Sequence, residues 1–155
     1  MSSESVKFTI ELSGTYHNKR PEYSISIDDT EYVRGSITAD SGERQTIEFD
    51  ADLTEGDHCL DIRLLNKESS DTVKSNNDPV NFTIVKDMLL NIEDIIIDDI
   101  SLGNLLWSAE YILDKPYKHN GETIDHLDHC VNLGWNGAYI LKFSSPFYIW
   151  LLERL

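Results

Sequence analysis

The chain has 155 residues, 28 acidic against 13 basic side chains, a net charge of −15 and 40% apolar residues. That length predicts one domain with a core large enough to fold without disulfides. The charge excludes nucleic acid as a partner and disfavours anionic membrane surfaces, because both need basic patches.

The opening MSSESVKFTI carries no charged-then-apolar leader, so synthesis in the cytoplasm without a signal peptide is expected. The longest apolar run, Phe147 to Leu152, falls far short of the roughly 20 residues of a membrane helix, and no membrane insertion is expected. Cys59 and Cys130 read as free thiols beside apolar neighbours.

In chain order, VKFTIEL alternates Val6, Phe8, Ile10 and Leu12 with polar residues, the period of a half-buried strand. EYSISI repeats that period, DDT offers a turn, and EYVRGSIT returns, with Gly35 a candidate bulge. TIEFDADL and HCLDIRLL both alternate and flank TEGD, which predicts a hairpin. Residues 67–81 are polar and read as a long loop, and NFTIV, LLNIEDIII and ISLGNLLW read as further strands. WSAEYIL reads as a strand, KPYKHNGE as a loop, and TIDHLDHCVN as a helix with Ile124, Leu127 and Val131 on one face. AYILKF is a strand. Ser145 and Pro146 look like the N-cap and first residue of a short helix over 146–154, although FYIW is also rich in strand formers.

Many short strands with turn residues between them predict a mainly β protein. It would be an antiparallel β-sandwich or jelly roll with one or two short C-terminal helices. Residues 1–155 would form the single sandwich domain, with 107–155 as an elaboration closing one end.

Chemical motifs are sparse. His126, His129 and Cys130 would share a helix face as zinc ligands do, but third and fourth ligands are missing and a polar helix face explains them equally. There is no nucleophile elbow, phosphate-binding loop or dinucleotide fingerprint. No catalytic residue is nominated and an enzyme is not expected; a carboxylate-based hydrolase is the third-ranked reading. Calcium suits the oxygen-rich loops, and a solvated loop is its alternative. Trp135, between Gly134 and Asn136, and Tyr139 are candidate sugar-stacking rings, whereas Trp107 and Trp150 are expected to be buried.

LDIRLLNK and VKDMLLNIEDIIIDDISL, over about residues 56–102, resemble the latter half of calcium-dependent xylan-binding modules. In that family a strand ends in Asn-Asp, and an acid with an Arg-Asn-Leu run follows after a loop. The resemblance places Asn66 on the family's Asn, Asp87 on its acid, and Asp98 and Asp99 at its closing turn; Asp71 lies in the loop between. Lys67 stands where the family has Asp, and Met88-Leu89-Leu90 replace Arg-Asn-Leu. The implied calcium set is Asn66, Asp71, Asp87, Asp98 and Asp99.

LGWNG and PFYIWLLE, in the last third, resemble accessory structural proteins of tailed phages of marine bacteria. That implies a non-catalytic decoration, baseplate or fibre-associated protein located in a virion. The expected function is therefore an assembly module: Phe147, Trp150 and Leu151 would pack inward, leaving Tyr148, Leu152 and Leu155 for a protein partner. The alternative is a calcium-dependent carbohydrate-binding module.

Overall fold

The computed structural model describes residues 3–78 and 80–154. Two antiparallel sheets stack over one core. The first is ordered β12–β8–β1–β4, with β9 also paired to β8; the second is ordered β11–β10–β13–β5–β2–β3. The strands are β1 (Ser3–Thr15), β2 (Glu22–Ile27), β3 (Thr30–Ser36), β4 (Arg44–Thr54), β5 (Gly56–Leu64), β8 (Leu89–Ile97), β9 (Ile100–Ser101), β10 (Glu110–His119), β11 (Glu122–Asp128), β12 (Asn132–Leu133) and β13 (Gly137–Ser145). A two-residue β6 (Val73–Lys74) pairs with β7 (Ile84–Lys86) inside the segment read as loop, and one helix, α1 (Phe147–Leu152), follows β13. This is the expected mainly β sandwich with a single short C-terminal helix.

Period-two alternation drives the sandwich. Val6, Phe8, Ile10 and Leu12 of β1 are fully buried and share one core with Leu60, Ile62 and Leu64 of β5. Removing these side chains from water is the main stabilising term, about 25 cal/mol per Å² of apolar surface.

Alternation does not name a strand's partner, and here the expected hairpin fails. β4 pairs with β1, whereas β5 pairs with β13 and β2, so the TEGD turn carries the chain from one sheet to the other. Gly56 at that corner has φ +125°, a conformation open chiefly to glycine. ISLGNLLW is likewise not one strand: after β9, Gly103 turns at φ +55° and Gly103–Ser108 forms a 3₁₀ segment.

The hairpins sit elsewhere, at three two-residue turns with positive φ at both positions: Asp28-Asp29, Asp98-Asp99 and Asn120-Gly121. Such turns match the right-handed twist of the strands they join, and Asp, Asn and Gly tolerate them best. Asn120-Gly121 overturns two expectations. KPYKHNGE belongs to β10 and its turn, and the predicted helix around residues 124–131 is instead β11 followed by an irregular segment. The Ile124–Leu127–Val131 spacing fits a helix by accident of a twisted edge strand. The bulge expected at Gly35 lies elsewhere on β3: Gly35 pairs with Tyr23, and the extra residue is Tyr32, opposite the step from Ile25 to Ser26.

Residues from 107 onward, expected as an elaboration, supply β10, β11 and β13, and β13 lies between β10 and β5 within the second sheet. α1 packs Phe147 and Trp150 into the core. Ser145 is not its cap: Pro146 holds that position in extended geometry, while the Ser145 hydroxyl donates to Glu4 Oε1 at 2.6 Å. The Phe147 amide donates to the same oxygen at 3.0 Å. Among the described residues no helix is long and apolar enough to cross a membrane.

Candidate functional site

The most organised surface feature is the loop between β12 and β13, residues 134–136. Tyr111, buried on β10, holds it: its hydroxyl accepts from the Trp135 amide at 2.9 Å and donates to the Trp135 carbonyl. Burial pushes this phenol well above its ordinary pKa, so it remains an O–H donor. Asn136 is held from both sides. Its Oδ1 accepts from the Lys67 amide at 2.8 Å, its Nδ2 donates to the Lys67 carbonyl at 2.9 Å, and its own carbonyl accepts from Asp114 at 2.9 Å. A Cβ on Gly137 would lie 2.3 Å from the Ile112 carbonyl, so only glycine lets β13 approach β10 this closely.

The backbone is thereby fixed while the Trp135 ring remains 42% exposed. It stacks on Tyr117, with centroids 4.9 Å apart and planes 6° apart. Tyr117 reaches it because β10 bulges: Ile112 faces His126 and Tyr117 faces Ile124, leaving several β10 residues opposite Asp125 alone. Pro116 lies in that bulge and has no N–H to give a ladder. Tyr117 was not singled out from the sequence, while Lys67 stood out only as a departure from the resembled family and Asn136 only as a neighbour of Trp135. For Tyr117 the usable signal was the Asn-Gly turn, which makes its segment a strand.

Tyr139, the other expected sugar contact, is 0% exposed and donates its hydroxyl to the Leu106 carbonyl at 2.6 Å; it is a core residue. Trp107, expected to be buried, is exposed, whereas Trp150 is buried.

The proposed calcium residues do not converge. Asp87 precedes β8 and Asp98 follows it, so a whole strand, roughly 30 Å at about 3.4 Å per residue, separates them. Asp98 and Asp99 are turn residues, and Asp98 Oδ1 accepts from the Lys7 amide at 2.9 Å. Asn66 ties two strand ends, accepting from the Glu22 amide at 2.8 Å and donating to the Arg20 carbonyl at 3.0 Å.

Asp71 is 1% exposed; its Oδ2 accepts from the Glu68 amide at 2.8 Å and faces Lys19 Nζ at 3.2 Å. Burial alone would raise its pKa, but these contacts and Asn18 outweigh it and hold the carboxyl below the ordinary range.

Asp87 already has a cation. Lys67 Nζ donates to Asp87 Oδ1 at 2.7 Å and to the Gly134 carbonyl at 2.6 Å, while Thr72 Oγ1 and the Met88 amide donate to the same Asp87 oxygen at 2.7 and 2.9 Å. Burial opposes ionisation of Asp87, and these bonds overcome it, leaving its pKa lowered. Lys67 thus replaces an acid of the resembled family with an ammonium at the centre of the cluster. The residues present do not fit a calcium ion drawn from this set.

The zinc pair dissolves as well. His126 lies on β11, whereas His129 follows it at φ +56° and donates Nδ1 to the Trp107 carbonyl at 2.8 Å.

At the opposite end, a shallow cleft is lined by Asp28, Asp57, His58, Cys59, Lys142 and Trp150, among others. His58 is buried there, and both its ring nitrogens are taken. Nδ1 donates to Asp28 Oδ2 at 2.5 Å and Nε2 donates to the Thr54 carbonyl at 2.6 Å. Two acceptors require two N–H groups, hence an imidazolium. Burial works to lower its pKa, but Asp28 and the Thr54 carbonyl together raise it. With no free lone pair, this histidine is not placed to act as a general base.

α1 leaves Tyr148 and Leu152, two expected partner residues, 54% and 69% exposed, and Ile149 is exposed beside them. Leu155, the third, lies outside the described residues.

No protein-family model and no curated protein sequence matches this chain. Two solved structures share its fold. One is vCBM60 in complex with galactobiose: 10% identity, TM-score 0.54, covering 87% of this chain and 96% of that one. The other is the selenomethionine form of vCBM60, solved in relation to circular permutation as a link between two families of calcium-dependent carbohydrate-binding modules. It shows 11% identity, TM-score 0.55, and covers 88% and 89% of the two chains. At this identity the likeness establishes a carbohydrate-binding-module-like sandwich.

Proposed function

We propose that the chain is a non-catalytic glycan-binding module, with Trp135 as the stacking ring. One observation carries this: a half-exposed indole on a loop whose backbone is pinned by Tyr111, Lys67 and Asp114. A rigid aromatic displayed to solvent loses little entropy when a flat sugar face covers it, which is how aromatic rings bind strongly for their area. The fold shared with carbohydrate-binding modules supports the reading, and the net charge of −15 favours neutral over acidic glycans. Calcium is not required, because Lys67 already neutralises Asp87.

Glycan-array screening followed by titration calorimetry tests this. Wild type should bind a neutral oligosaccharide, and Trp135→Ala should lose that binding at an unchanged melting curve. Equal binding by both proteins removes Trp135 from the site, and no binding by wild type to any neutral glycan removes the function.

A second reading is assembly through α1, as in an accessory virion protein, and it rests on exposed Tyr148, Ile149 and Leu152. Deleting α1 cannot test it, because Phe147 and Trp150 belong to the core. The double change Tyr148→Ser, Leu152→Ser keeps the core. Sedimentation of wild type as a monomer at high concentration, like the variant, would remove self-assembly.

A further inference from the structure

The hairpin of β10 and β11 brings together three side chains that the helical reading of the sequence kept apart. Glu110 stands directly opposite Asp128, and His126 lies two residues along β11 on the same face, opposite Ile112. Side chains alternate across a strand, so all three project from the same, solvent-facing side of the sheet. One ligand atom from each lies within 4.8 Å of the others.

No hydrogen bond joins the three among the described residues, although both carboxylates attract the His126 ring. Among the described residues, no hydrogen bond or ion pair joins Glu110 to Asp128, or either of them to His126, and no lysine or arginine pairs with these carboxylates. Two carboxylates facing each other across a strand pair repel, so a local cation is favoured. His126 is oriented from outside the trio: its Nδ1 donates to Asp125 Oδ1 at 2.8 Å, and Asp125, with Asp128 and Glu110, raises its pKa, so a metal ion at Nε2 must displace a proton. Metal-ligating imidazoles are held in this way, one nitrogen tied to a carboxylate and the other turned to the ion.

We propose that Glu110, His126 and Asp128 bind a divalent transition metal ion of the zinc class. An imidazole with two carboxylates suits zinc, whereas calcium and magnesium prefer all-oxygen sets. Metal–ligand bonds of about 2.0–2.2 Å require the three atoms to close by roughly an ångström, which exposed side chains can do. Three protein ligands leave a fourth, open position for water or an external donor. The ion would staple the edge hairpin of the second sheet, including the bulge that delivers Tyr117 to Trp135. The proposal does not rest on glycan binding, and its ligands are separate from the Lys67–Asp87 cluster.

Calorimetric titration of tag-free protein with zinc chloride at neutral pH tests the site, with calcium chloride as comparison. One zinc per chain should bind, with at least tenfold weaker affinity in His126→Ala and in Glu110→Gln and no change in His119→Ala. Asp125→Asn, which disturbs only the orienting carboxylate, should weaken binding by about tenfold. Cobalt(II) added to wild type should give visible d–d absorption that His126→Ala lacks. All four positions are exposed, and circular dichroism checks that each variant folds. Absence of saturable zinc binding by wild type overturns the proposal, as does equal affinity in wild type and His126→Ala.

Discussion

The two ends of the sandwich are each closed by a basic side chain, buried at one end and largely shielded at the other, that reaches a carboxylate. Where β5 starts and β13 finishes, His58 joins Asp28 to the Thr54 carbonyl; where β5 finishes and β13 starts, Lys67 joins Asp87 to the Gly134 carbonyl. The wiring is alike: a positively charged donor shared between one carboxylate and one backbone carbonyl, drawing loops from separate strands together. The cations differ. Of the two, only imidazole belongs to the class that titrates near neutrality. At the Lys67 end, which carries Trp135, the shifted group is the carboxyl of Asp87, held below its ordinary range, whereas at the other end it is His58, whose pKa is raised.

The largest test of this contrast is Lys67→Met, which keeps the length of the side chain and removes its charge. It leaves a mostly buried Asp87 without its cation and frees the Gly134 carbonyl. Removing one partner of such a pair costs about 3 kcal/mol, the lower end of the range for buried pairs. Thermal denaturation should show a midpoint lower by about 6–12 °C. A change under about 1 kcal/mol would mean that the cluster is solvated and that Lys67 does not organise the Trp135 loop.

Next in size is the pH dependence of the His58 end. Its folded pKa is raised, so its contribution is complete below the unfolded value near 6.5 and fades as pH rises through the folded value. The stability gap between wild type and His58→Gln should be roughly 1–2 kcal/mol at pH 6 and shrink toward pH 9, read by urea denaturation. A gap that is flat over this range would show that the charge of His58 is irrelevant. At the other end the sign is reversed. The Asp87 pKa is lowered, so its contribution is present above the unfolded value and is lost as pH falls through the folded one.

Smaller effects are expected at the Asp-Asp turns, which are matched between the sheets. Asp28 Oδ1 accepts from the Cys59 amide and Asp98 Oδ1 from the Lys7 amide, each at 2.9 Å, so each turn extends the ladder of its neighbouring strand by a side-chain bond. Asp98→Asn keeps an acceptor and a tolerance for positive φ, and should be near neutral. Asp98→Ala should cost about 1 kcal/mol. Equal stability of the two variants in chemical denaturation would show that the bond to Lys7 contributes nothing.

The smallest expected change is at the Trp135 end under ligand-free conditions. Trp135→Ala should lower stability by less than about 1 kcal/mol, the loss of one half-exposed stacking contact. Melting curves in millimolar calcium and in EDTA should coincide. A calcium-induced rise of several degrees would mean that an ion competes successfully with Lys67 for Asp87.

How much of this was legible in the sequence follows the range of the forces involved. Alternation of Val6, Phe8, Ile10 and Leu12, or of Leu60, Ile62 and Leu64, is a local property, so strands and fold class could be read directly. Pairing is not local: β4 and β5 look like a hairpin because nothing in their alternation records that β1 and β13 are better partners. The helix expected over 123–132 failed because three apolar residues at helical spacing cannot outweigh the Asn120-Gly121 turn, which pairs the segments on either side of it as strands. Trp135 could be picked out because its flanking glycines mark a turn. Its support could not, since Tyr111 and Lys67 are 24 and 68 residues away in sequence. The calcium set drew on both ends of β8 because a linear motif carries no sign of the strand length between its parts.

The position of β13 has a consequence for how the chain reaches this fold. β13, which follows every other strand of the sandwich in chain order, is placed inside the second sheet, joined on one side to β10 and on the other to β5. Until residues 137–145 emerge from the ribosome, β5 has an unpaired edge, and β10 and β11 form a detached hairpin. An open apolar edge is a template for pairing with other chains. The nascent protein therefore exposes that edge until β13 is made, and folding of the second sheet waits for the strand that completes it.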